Sequence, residues 1–139
     1  MSYAYAGGLQ ARVYQRLIED PALSALIGGA VYDAPLEPAL AAAGPDYVTL
    51  GDETVRPNGT NTSGGAIHDF TVTVHSDRVG FAAAKDIAAA VCDCLIAAPL
   101  ALEAGRLVGL RFLRAGAERG RPPETRRVSL RFRAVVDQD

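Results

Sequence analysis

The sequence has little of what catalytic and metal centres are built from. Among 139 residues there are only two histidines and two cysteines, and Lys85 is the one lysine among fourteen basic residues. His68 and His75 are separated by an odd number, so one regular strand sends them to opposite faces. Cys92 and Cys94 stand two apart in a helical stretch, where their side chains diverge and cannot easily bridge, so they read as reduced, small helix residues. A CxC without a second Cys or His cluster lacks the ligand set of a zinc site. Gly28, Gly29, Gly64 and Gly65 form no phosphate-loop pattern and read as turn residues. No catalytic, cofactor-binding or metal-ligating residue is assigned, and no cofactor is expected.

Long apolar runs are also missing. No stretch of 18 or more apolar residues occurs, and Met1 to Gly8 lacks the basic residues and apolar core of a signal peptide, so a soluble, intracellularly made chain with no membrane partner is expected. With 49% apolar and 22% charged residues, the length suits one well-buried core, hence a single domain over residues 1–139.

What is present is an ordered series of patterns. Leu9, Val13, Tyr14, Leu17 and Ile18 recur at helical spacing and predict an amphipathic helix from about Gly8 to Glu19. Asp20 is placed to cap a second short helix that has Pro21 at its first position and Gly28-Gly29 at its end. Ala30 to Asp33 reads as a short strand, residues 34–45 as irregular chain, and Tyr47 to Leu50 as a strand. Residues 51–65 have no apolar period and are placed in a long mobile loop or an extended hairpin, and the stretch from Asp52 to Ala66 is expected to have little part in folding and a role in contact. In residues 68–75, Phe70, Val72 and Val74 alternate with polar residues, the signature of a half-buried strand. Ser76 or Asp77 is expected to cap a long alanine-rich helix over about 78–98, whose stripe is Ala84, Ile87, Ala88, Val91, Leu95 and Ala98. Two alternating strands close the chain, one through Val108, Leu110 and Phe112, the other from Val128 to Val136. Their even-numbered positions are expected on the helix and their odd-numbered ones away from it. The fold class is therefore α+β: a mainly antiparallel sheet of four to five strands, one long helix on one face, and two short N-terminal helices.

Charge is unevenly placed. Residues 106–139 hold nine arginines against four acidic residues, whereas the first 105 hold five basic and twelve acidic groups. Such a basic end can neutralise nucleic-acid phosphates, mate with an acidic protein surface, or simply face solvent. Phe112 and Phe132 share the apolar face of their strands and read as core residues, not as a base-stacking platform.

Laid end to end, these pieces resemble the tail-terminator, or tail-completion, proteins of long-tailed phages and phage-derived gene-transfer particles. The resemblance rests on Leu17-Ile18-Glu19-Asp20-Pro21-Ala22-Leu23, Ala30-Val31-Tyr32-Asp33, Asp46-Tyr47-Val48-Thr49-Leu50-Gly51, Phe70 to Ser76 and Val128 to Ala134. It implies a structural virion protein and not an enzyme: a ring, usually of six subunits, at the head-proximal end of the tail tube, ending tube polymerisation and joining tail to head connector. The partners implied are further copies of the chain, tail tube protein, and a connector or stopper protein, with DNA passing through the lumen without specific binding. The place implied is the host cytoplasm during assembly, then the tail or neck of the particle. Asp52, Glu53, Arg56, Asn58, Asn61, Arg111, Arg131 and Arg133 are the candidate contacts to subunit or tube. The alternative is a small nucleic-acid-binding α+β domain that uses the arginine-rich strands.

Overall fold

A computed structural model describes residues 3–33, 46–58, 65–78, 80–119 and 125–137. Helix α1 (Ala6–Glu19) buries Ala6, Leu9, Val13 and Leu17, one position per turn, and keeps its polar residues outside. Helix α2 (Pro21–Ile27) follows directly. The Asp20 carboxylate accepts a hydrogen bond from the Leu23 amide at 2.9 Å, Pro21 occupies the first turn, and Gly28 closes the helix in the left-handed conformation.

The sheet has five strands in the order β1-β2-β3-β5-β4. They are β1 (Val31–Tyr32), β2 (Asp46–Pro57), β3 (Ala66–Ser76), β4 (Arg106–Arg119) and β5 (Arg126–Asp137). All neighbours pair antiparallel except β1, which adds a short parallel edge to Val48 and Thr49 of β2. Helix α3 (Ala82–Ile96) lies between β3 and β4 in the chain and on one face of the sheet in space, burying Ala84, Ile87, Ala88, Val91, Cys94 and Leu95. The α+β class and the one-sided helix layer agree with the sequence reading, with the parallel β1 making the sheet mixed. No helix among the described residues is long and apolar enough to cross a membrane.

The core sits between helices and sheet. Even-numbered positions of β3 and β5 point into it, from Val72 and Val74 to Val128, Leu130, Phe132, Ala134 and Val136. Phe132 is fully buried between Phe70, stacked at 5.6 Å, and Phe112, edge-on at 5.9 Å. Those three rings are register partners on adjacent strands, so one aromatic ladder ties β3, β5 and β4 together.

Several boundaries differ from the sequence reading. Helix α3 begins at Ala82, not near Arg78, because Ser76 ends β3 and uses its hydroxyl to accept from the Arg78 amide, while Gly80 turns the chain at φ 78°. Ala98 lies past the helix end and is exposed, and Cys94 takes the buried place instead. Residues 51–57 are not loop: β2 continues through them, paired with β3 as far as Pro57↔Ala66, and the Asn58 amide donates to the Gly65 carbonyl. This is the extended-hairpin form for residues 51–57, whose ladder with β3 reaches buried Ala66, while residues 59–64 lie outside the described residues. Likewise β4 runs on through Gly116 to Arg119.

One side chain fastens the helix layer. The Arg16 guanidinium donates to the carbonyls of Cys94, Ala98 and Pro99 at 3.4, 3.1 and 3.1 Å, satisfying acceptors that the end of α3 leaves open and placing positive charge at its C-terminus. In return the Cys94 thiol donates to the Arg16 carbonyl at 3.4 Å. Arg16→Met keeps much of the apolar stem but removes these bonds. It should lower stability by about 1 to 3 kcal/mol, the usual range for lost charged hydrogen bonds, as read by urea unfolding; an unchanged midpoint would show that α1 and α3 are held by apolar packing alone.

Candidate interface on the open face of the sheet

The three helices among the described residues cover one face of the sheet, and the other face is polar. Its centre comes from odd-numbered positions of β3 and β5: Asp69, Thr71, Thr73 and His75 beside Arg127, Ser129, Arg131 and Arg133. Strict alternation would end there, but three bulges extend the arginine set. An extra residue in β2 at Asp52, with φ 46°, shifts the register so that Thr54 and Arg56, even-numbered, join the polar face. Asp tolerates this left-handed backbone better than most residues. In β4 the register shifts between Leu107 and Gly109 and again between Phe112 and Arg114, which sets Arg111 opposite Arg133 and Arg114 opposite Arg131.

Two arginine pairs therefore stand directly across adjacent strands, an arrangement that costs free energy unless countercharge is supplied. Asp69 supplies it for Arg133 through a two-pronged contact at 2.7 and 2.9 Å, and the bonded guanidinium holds the Asp69 carboxyl below its ordinary pKa. Glu118 pairs with Arg127 at 3.0 Å. Arg131 donates to the hydroxyls of Thr71 and Thr54, at 2.9 and 3.3 Å, and neither bond brings negative charge. A shallow cavity of about 280 Å³ opens beside it, lined by Arg114, Ser129 and Thr71 among others. The open face thus carries more positive charge than its own acids neutralise.

Of the candidate contacts named from sequence, Arg56, Arg111, Arg131 and Arg133 come together on this face. Asp52 forms the bulge itself, Glu53 turns to the helix side and accepts from the Tyr3 hydroxyl, and Asn58 sits at the strand end. Asn61 lies outside the described residues. Arg114 was missed because two bulges hide its phase; the signal was the broken alternation in Leu110-Arg111-Phe112-Leu113-Arg114. On β4 the expectation of even positions on the helix side holds for Leu110 and Phe112 and reverses beyond Leu113.

The two histidines face opposite ways. His75, on the polar face, stacks on Tyr47 at 4.5 Å and shares a 2.9 Å hydrogen bond with the Thr49 hydroxyl. His68 is fully buried on the helix side, and neither ring nitrogen has a partner among the described residues, so it is a core residue, not an ordinary polar strand position. Cys92 and Cys94 are both free thiols. Among the described residues no group of three His, Cys, Asp or Glu side chains is placed to hold a metal ion.

Comparison with known proteins identifies this layout. Residues 11–137 match the family model for tail completion protein gp17. The chain belongs to that family, which makes it a structural component of a phage-like tail and not an enzyme. It is also similar to a chain in the virion of a native gene transfer agent particle, at 52% identity and a TM-score of 0.87, the match covering 98% of this chain and 99% of that one. A search of the curated proteins returns no match.

Acid sensitivity follows from the imidazoles. Burial, aided by nearby Arg127, lowers the His75 pKa from 6.5 to about 4, and burial lowers that of His68 against a smaller opposing effect of Glu53. Between pH 6.5 and 4 the unfolded chain binds more protons, so the histidine contribution is intact above pH 6.5 and is lost as pH falls toward 4; Asp69 adds a further loss at lower pH. His68→Leu, which also removes an unsatisfied buried group, should raise stability by about 1 kcal/mol and, like His75→Gln, flatten the decline. Thermal unfolding from pH 8 to 4 reads this, and a decline as steep in both variants would refute it.

Proposed function

We propose that the chain is the ring-forming terminator of a phage-like tail: copies close into a ring, six being the expected number, at the head-proximal end of the tube. There the ring stops tube growth and meets the connector or stopper protein, with DNA passing through its lumen. Assembly takes place in the producing cell's cytoplasm, and the single domain then stays in the tail or neck. Family membership supports the class of role, and the observation that carries the rest is the open face with its surplus of guanidinium groups. A lone soluble domain gains nothing from opposed arginines on neighbouring strands; a subunit built to meet an acidic surface of a neighbour or of the tube does.

The structure guides the choice of variant. Arg133 is tied to Asp69, so replacing it disturbs the fold as well as the surface, whereas Arg111 and Arg131 have no ion pair among the described residues. R111E/R131E should keep the fold, with a stability change within about 1 kcal/mol, and should fail to cap tubes. Native mass spectrometry of the protein with and without tube protein, and imaging of tails, supply the readout. A wild-type protein that stays monomeric and leaves tube ends bare would refute the role. The nucleic-acid reading has its own signature: tight duplex binding whose log–log salt slope drops by about 2 in the double variant, roughly 1 per arginine, together with normal tail assembly.

A further inference from the structure

The side of β4 that faces the helix layer is only half covered. Between α3 and β4 runs an open groove of about 380 Å³, with Val128 and Leu130 as floor, Ala89 and Cys92 on the helix wall, and Phe112 and Ala115 on the strand wall. Phe112 is 42% exposed there, although its ring also touches Phe132. At the opposite edge of the same sheet, Leu26 of α2 and Tyr32 of β1 are 46% and 38% exposed. The two edges also differ in sign: β4 carries Arg106, Arg111, Arg114 and Arg119, while the chain beside β1 carries exposed Asp33 and the β2 bulge exposed Asp52.

We infer that the groove receives the α2–β1 corner of a second copy of this chain. The inference rests on the ring reading and specifies its contact. Side by side, the helix layer of one copy brings Leu26 against the apolar groove of the next, and the sheet layer brings Tyr32 and Asp33 toward the arginines of β4. Apolar surface meets apolar surface and acid meets base. The contact is made by side chains and not by strand addition, because two bulges and charged residues interrupt the β4 edge. Since corner and groove are different surfaces at opposite edges, each copy donates one and accepts one, the heterologous arrangement that closes into rings.

Two single variants test this, each at an exposed position and each checked for an unchanged melting temperature: Ala115→Glu in the groove and Leu26→Glu at the corner. Wild-type protein with tube protein should give rings by native mass spectrometry. Each variant alone should stay monomeric, and the mixture should stop at dimers, since the corner of A115E still fits the groove of L26E. The double variant A115E/L26K should regain rings through a pair of opposite charges. Rings from either single variant, with wild-type rings normal, overturn the inference and leave the ring reading standing. A defect in A115E but not L26E also overturns it, by showing groove meeting groove. Wild-type protein that forms no ring removes both.

Discussion

One shortage governs the rest of the structure: among the described residues, three helices cover five strands on one face only. The helix-side positions of β3 and β5 must then be apolar along their length, and they are, save for His68 within β3 and the pair Ser76 and Arg126 where the two strands meet at one end. The other face must be soluble, which threonines and serines alone could secure. Instead it carries guanidinium groups opposed across β4 and β5, with Asp69 and Glu118 balancing part of the charge. Polar residues on an uncovered face are ordinary; like charges set opposite one another are a cost that folding alone does not explain.

The bulges connect backbone to surface. A strand has a period of two, so a single extra residue moves every following side chain to the other face. At Asp52 the insertion turns Glu53 and Val55 toward the helices and frees Arg56 for the open face. In β4 the second insertion, at Leu113, keeps Arg111 and Arg114 on the same face, although their numbers differ in parity. Without the second insertion Arg114 would sit beside Leu130 in the groove. The same backbone irregularities thus gather the arginines on the open face and keep Arg114 out of the groove, where Lys85 of α3 is the one charged lining residue.

This explains which parts were legible in the sequence. Helix α2 could be read residue by residue because Asp20, Pro21 and Gly28 each perform a local task that needs no tertiary context. Strands β3 and β5 were readable because they lie inside the sheet, one face against helices and one open, so alternation is enforced from end to end. The far halves of β2 and β4 were not. They are bulged and largely exposed, so composition there answers to the surface and not to burial, and Asp52 to Asn58 looks like loop by every local criterion. His68 was legible in phase but not in consequence: its even number placed it with Phe70 and Val72, yet its chemistry argued for a polar setting. The candidate face was half visible, since Arg131 and Arg133 sit on a regular strand while Arg114 sits beyond two phase shifts.

The edges pose the remaining problem, and the sequence solves it at the cost of regularity. A subunit meant to join others needs exposed apolar surface, yet a flat sheet edge of fourteen residues would invite any extended chain to pair with it. The two bulges and the arginines of β4 make that pairing poor, while the groove beside the strand stays available to a shaped, charged partner. Specific docking is separated from promiscuous strand addition by moving recognition from backbone to side chains. For a component of a tail this separation matters more than added stability, because a subunit that paired at its edges before meeting its partners would be lost to open-ended aggregates.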